Sequence, residues 1–132
     1  MRDDRAIAPT ATRSYVLIVE DEPDMVKTYE RLLRRYGYRV ESVGSRQAGL
    51  TALEADPPAL LISDVRLPDG DGLDVVRRAR ALPAPPSIIV VTGFSVGPTR
   101  DAALAAGATA FVSKPFSTEH FMQLIQSLLD RG

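Results

Sequence analysis

Two adjacent carboxylates, Glu20 and Asp21, directly follow the apolar run Tyr-Val-Leu-Ile-Val at residues 15–19. Adjacent carboxylates repel each other, and a hard divalent cation with oxygen ligands removes that repulsion. The other interpretation is a helix cap, because Pro23 is typical of a first helical turn. The pair alone favours the cap, so the other polar residues of the chain must decide between the two.

Three further polar groups follow apolar runs in the same way. Asp64 follows Leu-Leu-Ile-Ser, Thr92 follows Ser-Ile-Ile-Val-Val, and Lys114 follows Ala-Phe-Val-Ser. Taken singly, Thr92 is typical of a turn and Lys114 of a solvated surface, whereas Asp64 lies too far before Gly72 to cap the next helix. Taken together, a nucleophilic carboxylate, an oxygen-bound cation such as Mg²⁺, a hydroxyl and an ammonium suit phosphoryl transfer to a carboxylate.

The segments around these groups alternate between strand and helix patterns. Strict alternation of five apolar strands with five helices predicts an α/β fold of (βα)5 order, with a five-stranded parallel sheet and helices on both faces. Ligands of such sheets bind beyond the carboxyl ends of the strands, so the four polar sites should meet at one edge. The predicted strands are 15–19, 39–43, 60–63, 87–91 and 110–113, and the predicted helices are 23–36, 45–55, 72–82, 99–106 and 118–129.

Length and composition restrict the class of protein. The 132 residues fit one domain, which we place at 15–132 after a flexible N-terminal arm at 1–14. A net charge of −1 gives no electrostatic reason to bind nucleic acid, and no apolar run approaches the ~20 residues that span a bilayer. The absence of cysteine excludes disulfides and thiolate metal sites. We expect a cytoplasmic protein with no membrane and no direct nucleic-acid partner.

The chain resembles the receiver domains of two-component response regulators, including the chemotaxis response regulator, over about residues 15–129. Four motifs carry the resemblance. Each is weak alone, but four in order, each at a predicted strand end, are highly specific. The motifs are Glu20-Asp21, the run Asp-Val-Arg-Leu-Pro-Asp-Gly-Asp-Gly at 64–72, Thr92-Gly93, and Ala-Gly-Ala at 106–108 leading into Phe-Val-Ser-Lys-Pro-Phe at 111–116.

The resemblance implies a phosphorylation-controlled signalling switch. Asp64 would be the phosphoacceptor, taking a phosphoryl group from a sensor histidine kinase or a phosphotransfer protein. Asp21 and Asp64 would bind Mg²⁺, with help from Glu20 and from the backbone carbonyl of Arg66. Lys114 would pair with the phosphoryl group, and its bond to the following proline would be cis.

The resemblance also implies a switch pair and two tuning positions. Thr92 would move toward the phosphoryl group, and Phe111 would turn inward with it. Phe111 replaces a frequent Tyr and lacks its hydroxyl, so we expect a less sharply defined inactive state. Arg66 and Phe94 fall at the variable positions that flank the phosphoryl group. A long cation and an apolar ring there predict slow hydrolysis of the acyl phosphate.

The expected partners are the phosphodonor and a downstream effector protein or output domain, and a phosphorylation-dependent dimer is also compatible with the family. We expect a regulatory module that catalyses only its own phosphorylation and dephosphorylation. The chain ends directly after the last predicted helix, as a stand-alone receiver would, although the regulatory part of a longer response regulator would look the same.

Two other classes share parts of the pattern. A small Mg²⁺-dependent phosphatase with an aspartyl-phosphate intermediate would combine the same groups. Such enzymes usually carry a second Asp two residues after the nucleophile, where this chain has Arg66. A flavodoxin-like cofactor binder shares the fold, but the acids after residue 19 would repel its phosphate.

Overall fold

Five segments rich in Val, Ile and Leu form one parallel sheet. The structure, a computed structural model, describes residues 15–93 and 96–130. Its strands lie in the order β2-β1-β3-β4-β5, and all neighbours are parallel. The three central strands are almost wholly buried because helices cover both faces of the sheet. The strands are β1 (Tyr15–Val19), β2 (Arg39–Val43), β3 (Leu60–Asp64), β4 (Ser87–Thr92) and β5 (Ala110–Ser113).

Four of the described helices connect the strands, a fifth follows the last strand, and together they enclose two apolar cores. Each fully buried Val, Ile or Leu contributes roughly 1.5–3 kcal/mol through removal of its side chain from water. One core joins the sheet to α1 and α5, and the other joins it to α2, α3 and α4. The helices are α1 (Pro23–Arg35), α2 (Arg46–Ala55), α3 (Leu73–Arg80), α4 (Val96–Ala106) and α5 (Thr118–Asp130).

The predicted fold class is confirmed, with small differences at element ends. Helix α4 begins at Val96, three residues before the prediction, because a helix tolerates Pro98 in its first turn. The helical period of residues 23–36 predicts Tyr36 on the buried face of the first helix, but this residue is 48% exposed, so that prediction is wrong. Helix α1 ends at Arg35, and the non-helical backbone of Tyr36 turns its side chain away from that face.

A short antiparallel hairpin after β3 was not predicted. Arg66–Leu67 pairs with Gly70–Asp71, which leaves Pro68 and Asp69 as the turn. The Gly72 N–H donates to the Val65 carbonyl at 2.6 Å, and a Cβ at position 72 would collide with the Asp64 carbonyl oxygen. The hairpin is therefore packed against the end of β3. Its signal in the sequence is Pro-Asp-Gly, which is typical of turns.

The described helices include none that is both long and apolar enough to cross a membrane. The predicted arm at 1–14 and Phe94 lie outside the described residues.

Candidate functional site

The strand order places three carboxylates at the carboxyl edge of β1 and β3. These two strands are neighbours in the sheet, and the chain leaves them toward opposite sides, which is where ligands bind in such sheets. Glu20 and Asp21 follow β1, and Asp64 ends β3. Carboxylate oxygens of the three side chains lie within 4.8 Å of one another. The convergence predicted from the sequence is therefore present.

Lys114 connects two of these carboxylates. Its Nζ lies 3.0 Å from Asp64 Oδ2 and 3.2 Å from Glu20 Oε1. The Lys114 N–H also donates to the Thr92 carbonyl at 2.8 Å, and the bond from Lys114 to Pro115 is cis, as the resemblance implies. Among the ion pairs of the described residues, the Lys114 ammonium is the positive charge that compensates Asp64.

Burial and charge shift the pKa values of the site in two opposed ways. Burial raises the pKa of the Glu20 carboxyl, and repulsion from Asp64 adds to the rise, whereas the Glu22 N–H and Lys114 lower it. Burial alone would lower the pKa of Lys114, but its hydrogen bond to Asp64 and the charges of Asp64 and Glu20 raise it overall. Lys114 is therefore held as an ammonium, while the charged form of Glu20 is disfavoured.

Backbone groups orient the Asp64 side chain. Its Oδ1 accepts from the Val65 N–H at 2.6 Å and more weakly from the Arg66 N–H at 3.4 Å. Its Oδ2 accepts from Lys114. Only a tenth of the side chain is exposed, so the carboxylate opens to solvent through a small window. The Arg66 side chain is exposed, and its backbone borders the site.

The predicted switch pair lies on the face of the sheet that α2, α3 and α4 cover. Thr92 is fully buried and lies two residues after Val90, which belongs to the core under α2, α3 and α4. Half-buried Phe111 packs against that same core, and its register partner is Val90. Each charged residue of the site lies two positions after an apolar residue of the other core, which α1 and α5 cover. The pairs are Ile18 and Glu20, Ile62 and Asp64, and Val112 and Lys114. Side chains alternate along a strand, so Thr92 and Phe111 share the other face of the sheet.

The three acids fit a divalent cation better than a helix cap. Glu22 is the N-cap of α1, and no side chain among the described residues caps that helix. Glu20 Oε2 accepts from the Glu22 N–H at 3.2 Å, which orients Glu20, and Asp21 is exposed beside it. Oxygen donors alone, with three carboxylates against one ammonium, suit a hard cation such as Mg²⁺.

Known proteins share both the sequence pattern and the fold. The profile of the response regulator receiver domain matches residues 16–126. The photosynthetic apparatus regulatory protein RegA of Cereibacter sphaeroides is 34% identical over all 132 residues, which span 70% of that protein. RegA of Rhodovulum sulfidophilum is 37% identical over 100 residues, which are 76% of this chain and 55% of that protein.

A solved structure agrees with this assignment. The receiver domain of sensor histidine kinase PA1611 from Pseudomonas aeruginosa PAO1 is 28% identical and has a TM-score of 0.80. The match covers 89% of this chain and 98% of that one, and that structure has a magnesium ion coordinated in its active site cleft. A profile match over most of the chain, together with these relatives, identifies the chain as a member of the response regulator receiver domain family, the regulatory switches of two-component signalling.

Proposed function

We propose that Asp64 is the phosphoacceptor of this receiver domain. The observation that carries the proposal is the position of Lys114, whose ammonium bridges Asp64 and Glu20 at 3.0 and 3.2 Å. Transfer converts the Asp64 carboxylate into an acyl phosphate that carries about two negative charges, beside the carboxylates of Glu20 and Asp21. The Lys114 ammonium offsets part of that charge. A surface carboxylate with only a structural role would need no ammonium held beside it.

The reaction is a nucleophilic displacement at phosphorus. An Asp64 oxygen attacks the phosphorus of a phosphohistidine, the new O–P bond forms as the P–N bond breaks, and the electron pair returns to the imidazole. Lys114 then pairs with the transferred group. Asp21, Asp64, Glu20 and the Arg66 carbonyl would hold Mg²⁺, which when bound neutralises charge on the phosphoryl oxygens.

The proposed switch couples the carboxyl edge of the sheet, where Thr92 ends the strand next to that of Asp64, to the core on which Phe111 packs. Thr92 would hydrogen-bond the phosphoryl group, and Phe111 would repack beside it. Their shared face and the register of Phe111 with Val90 support this coupling. The outcome is a changed surface near β5, which a downstream effector, an output domain or a second receiver would bind.

The remaining assignments follow from membership in the family. We propose a sensor histidine kinase or a phosphotransfer protein as the phosphodonor, a cytoplasmic location, and no catalysis beyond gain and loss of the domain's own phosphoryl group. Arg66 and Phe94 would slow hydrolysis of the acyl phosphate. Faster loss of phosphate from the wild type than from Phe94→Glu would contradict that tuning role.

A small-molecule phosphodonor tests the proposal without the cognate kinase. Purified protein is incubated with radiolabelled acetyl phosphate, with and without Mg²⁺, as wild type, Asp64→Asn and Asp101→Asn. Asp101 is exposed on α4 and is the control for loss of a surface carboxylate. We expect acid-stable, base-labile label in the wild type and the control, only with Mg²⁺. Equal labelling of Asp64→Asn would refute the assignment.

A further inference from the structure

Asp69 caps a helix that begins 23 residues before it. Its Oδ1 accepts from the Arg46 N–H at 2.6 Å, and its Oδ2 accepts from the Gln47 N–H at 2.9 Å. These are two of the N–H groups that have no partner inside a helix. Ser45 caps a third, through Oγ and the Ala48 N–H at 3.1 Å. Helix α2 is therefore capped twice, by the adjacent Ser45 and by Asp69 in the hairpin turn.

The side chain of Arg46 makes a second connection to the same hairpin. Its Nε donates to Asp74 Oδ2 in the first turn of α3 at 2.8 Å. Its aliphatic part covers Gly70, because a Cβ at position 70 would lie only 2.8 Å from Arg46 Cδ. The start of α2, the hairpin and the start of α3 are thus held together by Asp69 from one side and by Arg46 from the other.

The other end of the hairpin borders the phosphorylation site. Arg66 is the register partner of Asp71, and the N–H groups of Val65 and Arg66 donate to Asp64 Oδ1. The strands of the hairpin are only two residues long, and such a hairpin has little stability by itself. Its position therefore depends on contacts with its surroundings. Leu67 is buried in the core and the Gly72 N–H bonds the Val65 carbonyl, whereas the turn is joined to the backbone of α2 by the two Asp69 hydrogen bonds.

We infer that Asp69 is a positioning residue of the phosphorylation site, because it holds the hairpin turn against α2 and thereby keeps the Arg66 backbone beside Asp64. The inference deepens the proposed function and rests on it. The competing interpretation is that Asp69 only caps α2. The two interpretations differ in what happens at the Val65 and Arg66 backbone when Asp69 is removed.

Ser45 provides the matched control for this test. Ser45→Ala and Asp69→Ala each remove a cap of α2, but only Asp69→Ala also removes the hydrogen bonds between the hairpin turn and α2. Mg²⁺ binding is measured by titration calorimetry on folded, metal-free protein. We expect Asp69→Ala to weaken binding roughly three- to tenfold and Ser45→Ala to change it less than about twofold. The effect is below the roughly 10–100-fold that loss of a direct partner of a metal ligand costs, because Asp69 acts through the hairpin backbone. Asp69→Asn retains one acceptor oxygen and should fall between them.

Amide NMR gives a readout that needs neither metal nor phosphate. In Asp69→Ala we expect shifted resonances and faster hydrogen exchange at Val65 and Arg66, whereas in Ser45→Ala both amides should match the wild type. Unchanged amides in Asp69→Ala, or equal effects in both variants, would overturn the positioning role. A wild type that takes up no phosphoryl group would instead overturn the proposed function, and the amide comparison would still decide the role of Asp69.

Discussion

The ammonium of Lys114 lies 3.0 Å from Oδ2 of Asp64, a residue 50 positions earlier in the chain. The same ammonium lies 3.2 Å from Glu20, 94 positions earlier. One cation therefore connects the acidic loop after β1 to the end of β3. Two nearly buried carboxylates depend on it for charge compensation in this state.

Replacing Lys114 with Met should destabilise the metal-free protein by roughly 2–4 kcal/mol, because it leaves Glu20 and Asp64 buried without their cation. Removal of the competing ammonium should also strengthen Mg²⁺ binding, while phosphoryl uptake slows. Urea unfolding and calorimetric titration measure the two effects. Lys27→Met, on the exposed surface of α1, is the control and should change neither quantity.

Glu20→Gln should stabilise the metal-free protein at pH 7. The pKa of Glu20 is raised, by burial first and by Asp64 second, so the folded state binds this proton more tightly than the unfolded state does. The proton on Glu20 therefore stabilises the fold at pH values below the pKa that Glu20 has in the unfolded chain. This stabilisation is lost as the pH rises through the higher pKa of Glu20 in the folded protein. The variant has no such proton, and its advantage should vanish in acid. A gain that persists unchanged at pH 4 would contradict this linkage.

Tyr29→Phe should raise the free energy of unfolding by about 1 kcal/mol. Its ring packs against Phe116 and Phe121, and its buried hydroxyl has no hydrogen-bond partner among the described residues. Tyr15→Phe is the matched control and should lower the free energy of unfolding, because the Tyr15 hydroxyl donates to the Asp56 carbonyl. Its removal should cost about 1 kcal/mol. Denaturant unfolding of both variants checks the pair, and destabilisation by Tyr29→Phe would indicate a partner for that hydroxyl.

Gly72→Ala should destabilise the protein by roughly 2–3 kcal/mol and displace the hairpin from β3, because the added methyl group meets the Asp64 carbonyl oxygen. Gly97→Ala is the control. A Cβ at position 97 meets nothing within 4 Å, and alanine favours helix α4, so this change should stabilise by about 0.5–1 kcal/mol. Thermal unfolding measures both. Equal midpoints for the two variants would show that the contact at Gly72 relaxes without strain.

Protonation of Asp69 should weaken the fold in acid. Hydrogen bonds from the Gln47 and Arg46 backbones lower the pKa of this carboxyl. A lowered pKa means that the stabilisation is present above the unfolded pKa and is lost as pH falls through the folded pKa. The stability difference between wild type and Asp69→Asn should therefore be largest near neutral pH and shrink below pH 4. A difference that is constant from pH 7 to pH 3 would contradict it.

The sequence by itself determined the alternation of strands and helices and the four polar positions at strand ends. Apolar periodicity and the polar residue that ends a strand are local properties, so the sequence pattern alone assigns residues such as Asp64 and Lys114 to one edge of the sheet. Helix ends were less certain, as Val96 and Tyr36 show, because the terminal turn depends on packing beyond the local pattern.

Only the tertiary structure decided which of these groups touch. Strand register and loop conformation determine that Lys114 binds both Glu20 and Asp64 and that Asp69 caps a distant helix. These contacts join residues far apart in the chain. Whether they form depends on differences of a few ångströms between side chains, which the local sequence pattern does not specify. The site was therefore predictable as a set of residues, whereas its hydrogen bonds and charge balance required the folded chain.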